Sequence, residues 1–329
     1  MGFFKRKSNI DPNSEHRDWE VVSSIAQTAL DEQRKARRWG IFFKVLTFVY
    51  ITFVLVSVFM QNRGAADKFN FSEPHTGVVY VEGVIAEGED ASANNIVAGL
   101  RRAFESEGAM AVMLIINSPG GSPVQAGYVY DEVKRLRVLH PDKKVYAVIK
   151  DLGASGGYYI AAAADEIYAD KASLVGSIGV TASGFGFEGL MEKVGVERRN
   201  FTSGEHKSFL DPFGPLKEDE KQFWESVLQN THEQFIRVVK EGRGDRLSDN
   251  EDLFSGLVWN GEQAIELGLI DGLGSPGSVA RDIIGQDQFK NYTPQLSPLE
   301  EFTRRFGTAV GLGVGKALGV SSDSPVQLR

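Results

Sequence analysis

Residues Ile41 to Met60 read IFFKVLTFVYITFVLVSVFM, twenty positions with one charge, Lys44. At about 1.5 Å per residue, a helix of that length reaches across the hydrocarbon core of a bilayer. A helix buried in a soluble core is rarely apolar on every side for five turns. A cleaved leader fits poorly, because the run starts forty residues in, exceeds an ordinary h-region and lacks a small-x-small exit. The stretch is expected to be a single uncleaved anchor.

Flanking charge orients it, since Lys and Arg resist translocation. Arg34, Lys35, Arg37 and Arg38 precede the run, with Lys5, Arg6 and Lys7 further out, while only Arg63 and Lys68 follow closely. Lys44 can snorkel to the headgroups. The N-terminal segment is therefore expected in the cytoplasm and the larger part exported. Residues 1–40 hold eight bases against six acids, so with Lys44 and the chain's net −8 the part after Met60 carries −11. That acidity argues against a nucleic-acid partner, which needs a basic face. The absence of cysteine removes disulfides, thiolate metal sites and a cysteine nucleophile.

The pattern divides the chain into a cytoplasmic segment (1–40), the anchor (41–60), a linker rich in Asn, Asp, Ser and Gly (61–76), an α/β domain (77–290) and a tail (291–329). Within the domain, GVVYVEGVI (77–85), AVMLIIN (111–117) and KVYAVI (144–149) read as buried strands. EIYAD (166–170) and VGSIGV (175–180) read as shorter strands or turns, and Val196–Thr202 as extended. Helical spacing covers 93–104, 125–139, 186–194, 217–242, 261–267 and 278–284, with a further helix after Ser155. Strand–helix alternation predicts parallel pairing. The tail's GTAVGLGVGKALGV is too short and too weakly apolar for a second span, and is expected to be exposed or to dock on a partner.

Two glycine-containing turns end buried strands: Asn117–Ser118–Pro119–Gly120–Gly121, and Gly153–Ala154–Ser155–Gly156–Gly157 opening a helix. Such turns either simply reverse the chain or donate paired N–H groups to an oxyanion. GxxxxGK[ST] is absent, and the GxGxxG letters at 184–189 follow no strong strand, so nucleotide binding is not expected. HExxH is absent and the acids are scattered, so no metal site is expected. Ser155 at a strand-to-helix turn is a candidate nucleophile, and an exposed serine needs a base. Of five histidines, His16 is assigned to the cytoplasmic segment, His75 to the linker, and His140 and His232 to the surface. The base is then either His206 or its neighbour Lys207, whose ammonium can lose its proton if desolvated.

Five motifs occur in order: NSPGG (117–121), GASGGYYIA (153–161), GSIGV (176–180), SGEHK (203–207) and LVWNGEQAIELGLID (257–271). Over roughly Gly77–Leu273, with the anchor, the chain resembles the signal peptide peptidases of the protease IV type in their short, membrane-anchored form. NSPGG alone is shared with Clp proteases and crotonase-like enzymes, whereas SGGYY followed by SGxHK is far more selective. The resemblance implies a Clp/crotonase-type core of repeated β–β–α turns with one N-terminal transmembrane helix. It implies Ser155 as nucleophile, Lys207 as general base, the N–H groups of Gly121 and Gly156 as oxyanion hole, and Ser177 as a hydroxyl orienting the lysine. His206 then becomes a bystander.

The resemblance further implies a serine endopeptidase, without cofactor or metal, that degrades signal peptides left in the bacterial inner membrane. Its catalytic domain would lie on the periplasmic or extracytoplasmic side. Such proteins assemble into homo-oligomeric rings in which serine and lysine meet across a subunit boundary. Asp151–Leu152–Gly153 departs from the more apolar, Met-containing run of many relatives, which bears on the substrate groove rather than the dyad. Two rival enzymes share parts of this pattern. A crotonase-type acyl-CoA enzyme would not need Ser155 and Lys207 together. A Clp-like Ser–His–Asp hydrolase would want a histidine about 25 residues after the serine, where Val180 stands. A catalytically idle membrane scaffold is the third rival, and an intact Ser155 and Lys207 speak against it.

Overall fold

A computed structural model of the chain describes residues 12–66 and 73–294. Lys5, Arg6, Lys7, Lys68 and nearly all of the expected tail lie outside the described residues. The chain divides into two compact units, Met1–Asn70 and Phe71–Arg329. The first holds one continuous helix, α1 (Pro12–Ala66). Its described side chains from Glu32 to Val54 are all exposed, while those of Leu55 and Ser57–Met60 fall outside the described set. Among the described residues, no helix is long and apolar enough to cross a membrane.

The second unit is built on a mixed sheet at whose centre lie β1 (His75–Glu82), β2 (Ala109–Ser118) and β3 (Val145–Ala154), all parallel. These β-branched, apolar runs are buried on both faces, as parallel strands must be when helices and turns cover each side. Alternate residues serve opposite layers. Val79, Val81, Leu114, Ile116, Ala147 and Ile149 face the larger core, and Val78, Met113, Ile115 and Val148 the smaller one. The larger core is covered by α2 (Ala93–Glu105), α3 (Pro123–Leu139) and α4 (Gly156–Ala161). Phe235 and Val239 of a long helix named below also enter it.

β3 changes partner part-way. Tyr146–Ile149 pair with β4 (Glu166–Ala169), and Leu152–Ala154 pair with β5 (Leu174–Gly176). After β5 the chain leaves the core through α5 (Glu188–Val194) and returns along α6 (Glu218–Arg243). β6 (Val258–Asn260) then pairs antiparallel with β5, followed by α7 (Gly261–Glu266) and β7 (Gly272–Leu273), which pairs with β4. α7 starts from a capping box in which Asn260 and Gln263 exchange side-chain and backbone bonds. β8 (Phe289–Asn291) adds a parallel strand at the far edge, beside β1.

Several elements differ from the sequence expectation. α1 continues to Ala66, and β1 starts at His75, which is buried and bonds through Nε2 to the Tyr292 hydroxyl at 2.8 Å. The expected linker is shorter at both ends accordingly. Asn291 sits in the ladder and Tyr292 is buried, so the folded unit runs past 290. Val196–Thr202 pairs with no strand among the described residues, and of VGSIGV only Val175 and Gly176 enter a ladder. The expected helix at 278–284 is a π-helical turn over Val279–Ile284.

One ion-paired group joins α2 to α3. Glu132, 8% exposed, accepts from Arg135 at 2.7 and 2.8 Å and from Arg101 at 2.6 Å. The two Arg135 bonds, with the one from Arg101, hold its carboxyl at about 2 against an ordinary 4.5. A depressed carboxylate stabilises the fold fully above its unfolded value and loses that contribution as pH falls toward the folded one. Discounted for the two half-exposed arginines, Glu132→Gln is expected to cost about 1–2 kcal/mol at pH 7. Urea denaturation should show the gap to wild type narrowing as pH drops from 7 to 3.

Candidate active site

The carboxyl ends of β2 and β3 carry the two glycine-containing turns. Asn117 ties them together, donating through Nδ2 to the Asp151 carboxylate at 2.9 Å and accepting from the Leu152 N–H at 3.2 Å. Next to it Ser118 is wholly buried. Its hydroxyl donates to the Gly83 carbonyl at 2.6 Å and accepts the Gly120 N–H at 3.1 Å. The following residues meet the loop after β1: the Ile85 N–H donates to the Gly120 carbonyl (2.9 Å) and the Ser122 N–H to the Ile85 carbonyl (2.7 Å). This bridge uses the residues flanking Gly121, and among the described residues the Gly121 N–H makes no hydrogen bond.

At the end of β3, Ser155 has φ +52° and ψ −123°, a conformation that costs a non-glycine residue about 1–3 kcal/mol. Two backbone bonds hold it there: Ser155 N–H to the Gly176 carbonyl and Tyr159 N–H to the Ser155 carbonyl, each 2.9 Å. Its hydroxyl makes no capping bond to α4, whose first N–H, on Gly156, has no acceptor within the helix. A Cβ added to Gly156 would stand 3.3 Å from the Gly121 nitrogen, so the two free amides are neighbours. A helix N-terminus and a second N–H beside one serine is the arrangement that stabilises negative charge on a carbonyl oxygen under attack.

Ser155, Gly156, Gly121 and Ser177 line one open cleft of about 890 Å³. Ser177 is also at positive φ (+50°), held by its N–H to the Leu257 carbonyl at 2.7 Å. The cleft has Tyr159 and Phe235 below, and the exposed Val124 and Tyr128 of α3 on one wall. Burial beside this floor pushes the Tyr130 hydroxyl up to about 12 and raises that of Tyr159, so both phenols stay protonated. Among the described residues, no group of histidines and carboxylates could hold a metal.

Lys207 does not line the cleft. It is exposed, in a run of turns between α5 and α6, with its N–H on the Gly204 carbonyl at 3.2 Å. His206 is exposed beside it. Glu220, 5% exposed, pins this run by accepting from the Leu210 N–H at 3.2 Å, and Arg198 pairs with Asp211 at 2.7 Å. Within the chain the structure thus gathers Ser155, Gly121, Gly156 and Ser177 at one cleft, and leaves both candidate bases outside it. His232 is half-buried rather than a surface residue, its Nε2 on the Ile178 carbonyl at 3.0 Å.

Residues 137–283 match the sequence model of peptidase family S49. Over 197 residues the chain is 32% identical to a Synechocystis sp. protein with the provisional name of a protease, covering 60% of this chain and 69% of that one. The chain belongs to peptidase family S49. The S49 match includes Ser155, Gly156, Ser177 and Lys207 and begins after Gly121. A protein of Enterococcus faecium provisionally named signal peptide peptidase SppA is 33% identical over 202 residues, 59% of this chain and 58% of that one. A Brucella abortus protein named Na(+)/H(+) antiporter NhaA is 45% identical over 223 residues, which cover 66% of this chain and 30% of that protein. The chain thus spans under a third of the Brucella relative's length.

The glycines of the two turns are not interchangeable with other positions. A Cβ on Gly120, at φ +97°, would stand 2.6 Å from the Gly156 nitrogen and 2.7 Å from the Ser155 Cβ. Gly120→Ala is therefore expected to cost about 1–3 kcal/mol and to speed amide exchange at Tyr159. Gly127→Ala, in helix α3 with nothing within 4 Å of the new methyl, should instead gain about 0.5–1 kcal/mol. Chemical denaturation and hydrogen exchange distinguish the two.

Proposed function

We propose that this S49 protein is a membrane-anchored serine endopeptidase that uses Ser155 as nucleophile and Lys207 as general base. The observation that carries the reading is Ser155 at strained, positive φ, uncapped, with the unspent N–H groups of Gly121 and Gly156 beside it. Neutral Lys207 takes the serine proton as the hydroxyl attacks a peptide carbonyl. The two amides hold the oxyanion, each worth about 3–4 kcal/mol in enzymes of this kind. The lysine returns the proton to the leaving amine, and water then hydrolyses the acyl-enzyme with the same lysine as base. Ser177, in the same cleft, orients the lysine amine.

Because Lys207 lies outside its own protomer's cleft, the lysine is supplied by a neighbouring copy in a homo-oligomeric ring. Support for such contacts comes from the arm between β5 and α6, which exposes Phe185 (81%) and Phe201 (91%). The division of β3 between β4 and β5 suits a core of repeated β–β–α turns. The anchor is residues 41–60, N-terminus inward, with the acidic unit on the extracytoplasmic side of the inner membrane. Its uncovered apolar side chains support that placement. Substrates are signal peptides left in the membrane, bound extended against an edge strand.

The test is peptide hydrolysis by the purified full chain in detergent micelles. Ser155→Ala and Lys207→Ala should each lower turnover at least about a thousandfold, and His206→Ala less than about threefold. Mixing the two inactive variants should restore part of the activity. Near-normal turnover by either variant sinks the dyad, and absence of recovery on mixing sinks the shared site.

A further inference from the structure

The cleft that holds Ser155 has one ionisable carboxylate on its walls and no basic side chain. Among the residues lining it, Asp131 is the sole charged one, the rest being apolar side chains, glycines, hydroxyls and Gln234. Asp131 belongs to α3, where Val124, Gly127, Tyr128 and Asp131 follow helical spacing and therefore share one face. That face is the cleft wall, open to solvent: Val124 is 58% and Tyr128 59% exposed, and nothing stands within 4 Å of a methyl added to Gly127.

The charge on Asp131 is not neutralised locally. The other ionised groups of α3 are committed elsewhere: Lys134 to Glu241 (2.9 Å), Glu132 to Arg135 and to Arg101 of α2, and Arg137 to Asp165. Asp131 has no ion pair or hydrogen bond among the described residues. Asp131 is itself exposed, and its field acts on Tyr159, which lines the same cleft. Arg237 of α6 also acts on Tyr159, but it does not line the cleft and forms no pair with Asp131.

We propose that Asp131 makes this cleft select peptides bearing a lysine or arginine about four residues from the cleaved bond, with apolar residues between. This rests on the peptidase reading and adds a substrate class to it. The spacing follows from the helix. Pro123, which also lines the cleft, begins α3 near Gly121, and eight residues at about 1.5 Å each carry the wall about 12 Å to Asp131. An extended peptide covers that distance in about four residues at about 3.3 Å each. Val124 and Tyr128 meet the apolar stretch, and the carboxylate meets the cation at its end.

The test uses quenched fluorescent peptides of one apolar sequence carrying Lys, Gln or Glu four residues to either side of the bond. The full chain hydrolyses them at low ionic strength. On one side of the bond, kcat/KM for the Lys peptide should exceed that for the Glu peptide about five- to tenfold, the range of an exposed charge pair. The ratio should fall to within twofold in Asp131→Asn, invert in Asp131→Lys and survive in Asp131→Glu. In wild type it should also shrink in about 0.5 M salt, where the Debye length is only a few ångströms. A wild-type ratio within twofold on both sides overturns the proposal, as does a ratio that Asp131→Asn leaves unchanged. Failure of the peptidase reading shows separately, as hydrolysis that survives Ser155→Ala.

Discussion

The cleft depends on a contact between two stretches of backbone where no side chain could fit. The turn after β2 and the turn after β3 approach so closely that a methyl on Gly120 would meet the Gly156 nitrogen and the Ser155 Cβ. A methyl on Gly121 would run into the Ile85 carbonyl. Glycine is required because backbone must touch backbone and because both residues have positive φ, +97° and +151°. Around that contact the polar groups are bonded in series. Ser118 fixes the Gly120 amide, the Ile85 bridge fixes the peptide on either side of Gly121, and Asn117 locks β2 to the end of β3. Among the described residues, the pair of amides on which the proposed chemistry relies has no hydrogen bond.

The change of partner along β3 gives that contact its setting. The first half of the strand is buried in the regular ladder, and the second half turns to β5 and delivers Ser155 to the surface. β5 reciprocates, since its last residue, Gly176, accepts the Ser155 N–H. The nucleophile candidate is therefore held by three strands, whereas the run that carries Lys207 enters no strand and is fastened by the buried Glu220 carboxylate, the Arg198–Asp211 ion pair, the Phe187 N–H on the Pro212 carbonyl and Phe209 against Phe223 and Trp224.

The strands at the centre of the sheet could be read from the sequence because they are long, β-branched and buried on both faces. The helices flanking them have clear apolar spacing. β8 was not visible, because Phe289–Lys290–Asn291 is too short to carry a period and is a strand only by virtue of the β1 edge beside it. Val196–Thr202 has strand composition without a strand partner, so local preference had nothing to pair with. Of the site, Ser155 and its flanking glycines were readable as a strand-to-helix turn. Asp131 and the wall it ends were not, since a lone acid on a helix gives no hint that the helix face borders a cleft. Nor could spacing along the chain place Lys207, whose position relative to any serine is a property of folding and assembly.

The bond between His75 and Tyr292 has an architectural consequence. His75 opens the first strand of the sheet and Tyr292 follows the last, so the folded unit begins and ends at one point. A segment whose two ends leave from the same place can be carried as a module of a longer polypeptide without opening its sheet. Proteins in which the homologous stretch is 30% of the length, as in the Brucella relative, are compatible with this geometry without any rewiring of strands.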